Sequence, residues 1–396
     1  MGNELPKGWK IQPLKDVVKS MKGKKPKLLS ELPFDNSIPY IDIKALEKDL
    51  IEQYADIESS KSFSNNDIAV VWDGARCGWV AKAKEGAIGS TICALTPLDI
   101  ESDYLYYFLL SKYSLVNSKG RGVGIPHIDP TLFWNMEVPI PLPKEQKQIA
   151  EKLDKLFDQI ESIKKSTERI PELLKNFRQQ ILTYAVTGKL TESTPEVREL
   201  GEYIVELKYG TSKKADYDVE GYPVLRIPNI NNGEIDSSDL KYAMLDEKEY
   251  NQLALKDGDI LVIRSNGSLS IVGQCAIVRE QYEKWVYAGY LIRVRCNNEL
   301  LPEYLNYIFQ SYQVRKQIVE KSHSMSGVNN FSADKIKQLE IAWYPVDIQK
   351  QIVDKLIVMF GELNKIERQY NALYEKLEKL PQALLCKAFK GELFTK

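Results

Sequence analysis

Four loops in this 396-residue chain carry the side chains best suited to specific polar contact. SKGRGVGIPHIDP (118–130) holds Arg121 and His127, and SHSMSGVNNFSAD (322–334) holds His323, Asn329 and Asn330. Each stands just before a strand-like segment. WDGARCG (72–78) and RSNGSLS (264–270) form a second matched pair, with Arg76 in one and Arg264, Ser265 and Asn266 in the other. Arg, Asn, His and Ser can read base edges or hold phosphate oxygens. The same loops could also be surface turns with no ligand. Lys213, Lys214 and Arg226 add cationic candidates in the second half. Net charge is −1, which by itself argues against a polyanionic partner, yet residues 7–27 are strongly basic. There Lys7, Lys10, Lys15, Lys19, Lys22, Lys24, Lys25 and Lys27 face a single acid, Asp16. Such a cluster is either a solvated face or a phosphate-contacting surface, with Lys22, Lys24, Lys25 and Lys27 the candidate contacts.

Other chemistry is absent from the motifs. GRGVGIP (120–126) fits neither GxGxxG nor GxxxxGK[ST] and does not open a helix after a strand. No NPPY-like element for adenine methylation occurs, and IDPTLF (128–133) is not one; GxSxG, HExxH and zinc-deaminase patterns are also missing. The five cysteines show no CxxC spacing, and two histidines are too few for a structural zinc site. We expect no catalysis by this chain alone, no metal, and a reducing, cytoplasmic setting. No apolar run approaches the ~18 residues that cross a bilayer, and the first residues lack a signal-peptide stretch.

The elements that position these loops follow from an internal repeat. KQIAEKLDKLF (147–157) returns 203 positions later as KQIVDKLIVMF (350–360), and the copies match without a gap from Gly124/Gly327 to Leu190/Leu393. Upstream the match loosens. DYLYYFLLS (103–111) echoes EYLNYIFQS (303–311), DIAVVW (67–72) echoes DILVIR (259–264), and IPYIDI (38–43) resembles YPVLRI (222–227). The chain is a duplicated domain-plus-helix unit.

Each helical copy carries a stripe spaced alternately four and three, the seam of a coiled coil. The first is Ile149, Leu153, Leu156, Ile160, Ile163, Thr167, Ile170, Leu174, Phe177 and Ile181; the second is Ile352, Leu356, Met359, Leu363, Ile366, Tyr370, Leu373, Leu377, Leu380 and Leu384. Pro171 and Pro381 predict a kink or restart, and Gly188 and Gly391 predict left-handed caps. The order domain, helix, domain, helix makes a packed helix pair antiparallel, related by a pseudo-twofold axis. About 40 residues at ~1.5 Å each give a spacer of roughly 60 Å. The globular parts read as α+β. Strands are predicted at 38–43, 67–72, 88–95 and 136–141 with a helix near 102–113, then at 222–227, 259–264, 286–296 and 338–344 with a helix near 302–320. There is no regular βαβ alternation, so a doubly wound nucleotide fold is not expected.

LPKGWKIQPLKDV (5–17), VPIPLPKEQKQIAEKLDKLF (138–157), LTYAVTGKL (182–190) and the second helical copy resemble the specificity subunit of type I restriction-modification systems. The resemblance spans essentially the whole chain. Its P-x-x-EQ-x-x-I phrase occurs twice, but the second copy, YPVDIQKQI (344–352), has Ile348 where Glu145 stands. The resemblance implies a non-catalytic protein with target-recognition domains at 1–143 and 192–346 and conserved helical regions at 144–191 and 347–396. Each domain would read one half of a bipartite sequence in double-stranded DNA, and the helices would set the gap. The implied partners are two modification (methyltransferase) subunits and restriction subunits. S-adenosylmethionine, ATP and magnesium are implied on those partners, with no cofactor in this chain. Two alternatives stay open: a specificity module of another methyltransferase or phage-defence system, and a non-DNA coiled-coil adaptor.

Overall fold

The computed structural model describes residues 5–122, 124–322 and 329–394. His323 lies outside the described residues. Contacts group the chain into two compact units, one of residues up to 168 with those from 372 on, the other of residues 169–371. The two are built alike.

In the first unit, strands Val18–Lys22, Ile92–Pro97, Ile68–Val71 and Val80–Lys82 lie in that order in an antiparallel sheet. Strand alternation sends Ile68, Val70 and Leu95 into a core with Tyr104, Leu105 and Phe108 of helix α1 (Ser102–Ser118). Ala69 and Ala94 face the other way, with Ile41 and Ile88 of a smaller sheet. That sheet runs Leu29–Ser30, Tyr54–Asp56, Ser37–Ile41 and Ala87–Ile88, its last pair parallel. The second unit repeats the plan. Ile204–Tyr209, Leu291–Cys296, Ile260–Ile263 and Cys275–Ile277 form the antiparallel sheet. Lys241–Ala243, Tyr222–Leu225 and Val286–Tyr287 form the smaller one, again ending in a parallel pair.

Three predicted elements are each two. Segments 88–95 and 286–296 change sheets at Gly89 and Gly289, giving Ala87–Ile88 then Ile92–Pro97, and Val286–Tyr287 then Leu291–Cys296. The chain passes so closely there that a Cβ on Gly23 would sit 2.2 Å from the Gly89 carbonyl, and one on Gly210 would sit 2.2 Å from that of Tyr287. Only glycine fits at such an approach. The helix foreseen at 302–320 is Pro302–Ile308 followed by Tyr312–Ser322.

The long helices are α2 (Pro143–Thr167), α3 (Ile170–Val186) and α4 (Val346–Phe389). Pro171 stands in the first turn of α3, where its missing N–H costs nothing. The helix does not restart at Pro381: α4 runs through it. Leu377 and Leu385 on either side are buried, and their packing outweighs the one lost backbone bond. In the first unit Lys164 meets Glu378 at 3.5 Å and the Lys152 ammonium donates to the Leu393 carbonyl at 2.8 Å. In the second, Arg178 meets Glu367 at 3.0 Å and Lys355 donates to the Leu190 carbonyl at 2.8 Å. As numbers rise on one helix they fall on its neighbour, so each pairing is antiparallel. Gly188 and Gly391 cap at φ +81° and +76°, and each lysine adds a cation at the carbonyl end of a helix, where the dipole favours it.

Seam burial is graded. Ile149, Leu153, Ile160 and Leu377 are buried in the first unit, as are Leu174, Ile352 and Leu356 in the second. Leu156 and Leu384 pack on the first core, Ile181 and Leu363 on the second, and Ile170 is half-buried. Ile163, Leu373, Leu380, Phe177, Met359 and Ile366, all predicted at the interface, keep 39 to 52% of their surface exposed. Two helices cover only one side of a seam residue, which leaves these six partly open to solvent.

The EQ phrase has a structural reason. Gln146, 1% exposed, accepts from the Glu101 N–H at 2.9 Å and donates to the Pro141 carbonyl at 2.9 Å. Gln349, wholly buried, accepts from Leu301 N–H at 2.8 Å and donates to the carbonyls of Glu299 and Tyr344 at 2.8 and 2.7 Å. Each ties a long helix to the strand and helix it follows. Glu145 only caps, accepting from the Leu142 N–H at 3.2 Å, so Ile348 forfeits a cap and leaves the buried tie intact. Gln349→Leu keeps the volume but strands a buried N–H, and should destabilise the second unit by about 1–3 kcal/mol. Urea unfolding of the full chain measures this; an unchanged midpoint would refute the tie.

Candidate nucleic-acid interface

The two loop pairs matched in sequence meet in space, once in each unit. In the first, the N–H of Ile128 donates to the Trp72 carbonyl at 3.0 Å, the N–H of Gly74 donates to that of Pro126 at 2.7 Å, and Asp73 bridges His127. In the second, Phe331 N–H donates to the Arg264 carbonyl at 2.7 Å, with Ser265 opposite Asn330 and Asn266 opposite Asn329. His127 and Asn330 thus occupy one place in the framework, as do Asp73 and Ser265, and Trp72 and Arg264. Backbone holds each ladder, so its side chains can differ without disturbing the fold.

The flanking strand end also differs. Sheet register makes Lys22, opposite Cys93, the counterpart of Tyr209, opposite Ile292. Lys22 reaches Asp73 at 2.8 Å. The Arg264 guanidinium lies over the Tyr209 ring, 4.7 Å from its centroid. In the second unit Asn329 is held inward, donating to the Gly267 carbonyl at 3.0 Å, while Asn330 is exposed. Asn266 accepts from Ser268 N–H at 2.9 Å, which shapes the turn.

The other predicted residues divide by partner. Arg76 is paired with Glu47 at 2.9 Å, holding that carboxyl below its usual range. Arg121 pairs with Asp129 at 2.6 Å and closes the 121–127 loop through two backbone bonds of 2.8 Å with His127. Lys213 pairs with Glu249 at 2.9 Å and the largely exposed Lys214 with Asp216 at 3.5 Å. Arg226 binds Asp239 at 3.0 Å and so braces its own loop. Lys24, Lys25 and Lys27 are exposed and, among the described residues, have no carboxylate within ion-pair distance. Sequence reasoning missed Asp73 and Tyr209; only the strand register reveals them.

Three of the cysteines are poor nucleophiles. Burial pushes the Cys93 thiol up to about 11 and those of Cys275 and Cys296 up to about 12, far from a reactive thiolate at neutral pH. Among the described residues no group of three or more His, Cys, Asp or Glu could hold a metal, and no helix is long and apolar enough to cross a membrane.

The family model for the type I restriction modification DNA specificity domain matches residues 6–172 and again 192–375. The Escherichia coli K12 type I restriction enzyme EcoKI specificity subunit is 32% identical, over 98% of this chain and 90% of that protein. The StySPI specificity subunit of Salmonella potsdam is 29% identical over the same shares. Two solved structures share the fold. A chain from a study of complex assembly and conformational transition of the type I R-M system has a TM-score of 0.71 at 18% identity, over 98% of this chain and all of that one. The HsdS subunit from Thermoanaerobacter tengcongensis has a TM-score of 0.65 at 16% identity, over 98% of each chain. The chain therefore belongs to the type I restriction-modification DNA specificity family and is the DNA specificity subunit of such a system. Subunits of this kind are non-catalytic and hold no cofactor, and they work as part of a type I complex.

Proposed function

We propose that the ladder of each unit reads one half of a bipartite DNA target, 73–74 with 126–127 for one half and 265–266 with 329–330 for the other. The carrying observation is that the same hydrogen-bonded framework recurs with different side chains, Asp73 and His127 against Ser265 and Asn330. Base edges are distinguished by donor and acceptor pattern, which these substitutions alter. Lys24, Lys25 and Lys27, with no acidic partner among the described residues, supply phosphate contact that positions the first unit without reading sequence. In this reading residues 1–143 and 192–346 are the recognition domains. Helical regions 144–191 and 347–396 fix the gap and dock two methyltransferase subunits, to which restriction subunits are added. S-adenosylmethionine, ATP and magnesium then belong to those partners, and the complex acts in the cytoplasm.

Methylome sequencing of cells carrying the full complex tests this. Exchanging the first ladder for the second, Asp73→Ser with His127→Asn, should change bases in one half-site and leave the other half-site and the gap as they were. A change in both halves, or in neither, would refute the assignment. Loss of duplex binding in a partner-free adaptor would instead show as no bipartite methylation even with the wild-type chain.

A further inference from the structure

We infer that Arg264 reads a guanine in the half-site of the second unit, its guanidinium held for that contact by Tyr209. The inference rests on the ladders being the readers.

Four arginines stood among the sequence candidates. Arg76, Arg121 and Arg226 each have a carboxylate partner within 3.0 Å. Arg264 has none among the described residues; its Nε is enclosed with no hydrogen-bond partner, as are those of Arg226 and Arg293, but those two guanidiniums are held by carboxylates at their terminal nitrogens. Enclosing an unpaired N–H is costly, and a native fold that keeps one calls for a reason. The fold does not need arginine here. Its counterpart Trp72 fills the place by packing at 5.5 Å against both Phe133 and Trp134.

Geometry favours a base edge over phosphate. The backbone of Arg264 is pinned on both sides, its N–H donating to the Tyr290 carbonyl at 2.9 Å and its own carbonyl accepting from Phe331 at 2.7 Å. The ring of Tyr209, whose hydroxyl accepts from the Ala333 N–H at 3.1 Å, lies 4.7 Å from the guanidinium carbon. A stacked, pinned guanidinium has a fixed plane and a restricted swing. Phosphate contact needs only charge, whereas a fork held in one plane matches the O6 and N7 acceptors of guanine. With Nε enclosed, the two terminal nitrogens are the pair that remains for O6 and N7. Asn330 and Ser265 stand alongside for the neighbouring base pair.

The test uses the complete complex and methylome sequencing. The wild-type half-site must contain a guanine at which Arg264→Gln relaxes discrimination roughly 10- to 100-fold, with adenine gaining, because glutamine pairs with adenine N6 and N7. Arg264→Lys should retain charge and lose the same discrimination, and Tyr209→Phe should retain specificity. As a measure that needs no variant, 7-deazaguanine at that position should weaken binding of the wild-type complex, with other guanines indifferent. A uniform loss over all sequences with a shallower salt dependence would assign Arg264 to phosphate and overturn the inference. An unchanged half-site, or a change in the other half, would overturn it too. Absence of any bipartite methylation by the wild-type complex would instead refute the reading on which it rests.

Discussion

Asp259→Ala should destabilise the second unit by about 3–5 kcal/mol, whereas the matching change in the first, Asp67→Ala, should cost about 1–3 kcal/mol. The two aspartates hold one position. Asp67 accepts from Ser64 N–H at 2.7 Å and from the Thr96 hydroxyl at 2.6 Å, both neutral donors. Asp259 accepts from Lys256 N–H at 2.8 Å and is gripped by Arg295 through two bonds of 2.7 and 2.8 Å. Glu206 then bridges Arg295 and Arg293 at 2.8 and 2.7 Å, and Arg293 is only 2% exposed. Removing Asp259 leaves two guanidiniums facing one carboxylate, an uncompensated buried charge. Replacing Glu206, Asp259, Arg293 and Arg295 together by apolar residues of similar volume should cost far less than the single change, because no charge is then left alone. Chemical denaturation followed by tryptophan fluorescence separates the units, since Trp285 and Trp343 lie in the second and the other four in the first. Equal losses for Asp67→Ala and Asp259→Ala would show that the network contributes nothing.

Removing residues 172–178 together with 367–373 should shorten the gap in the recognised sequence and leave both half-sites intact. These heptads face each other, since they contain the Arg178–Glu367 pair. Seven residues at ~1.5 Å remove about 10.5 Å, close to three base pairs at ~3.4 Å each. The seam survives because seven residues are two turns of the coil. The duplex is less forgiving: with ~10.5 base pairs per turn, three base pairs rotate the second half-site by about 100°. Methylation should therefore be slower as well as differently spaced. Removing only one of the two heptads should abolish it by throwing the facing rows out of step. Methylome sequencing of each variant decides, and an unchanged gap would end the idea of the helices as a ruler.

How much of this could be read from residues alone depended on the range of the signal. The heptads and the 203-residue repeat were legible because hydrophobic spacing is local and the copies align without a gap. Gly188 and Gly391 announced their caps for the same reason. The ladders were half legible: both loops of each pair stood out, but that they bond to each other depends on sheet register. Lys213 and Arg226 are DNA-binding candidates by type, but their pairing with Glu249 and Asp239 depends on the fold and is not visible in the sequence. Tyr209 and Lys22 could not be matched, because upstream of the gapless region only hydrogen-bond partners reveal the correspondence. The single strands expected at 88–95 and 286–296 ignored Gly89 and Gly289, a signal that was present and local.

The ends of the helices carry one more meaning. A Cβ on Gly391 would strike the Pro6 ring at 2.1 Å, and one on Gly188 would strike the Ser193 carbonyl at 2.0 Å, so each helix end packs closely on the segment that opens a globular part. The internal junction and the approach of the last helix to Pro6 are thus two instances of one joint. If each domain reads one half-site, exchanging the segment between the two helix ends should change one half-site and leave the other, because each helix end meets the next domain through the same kind of joint.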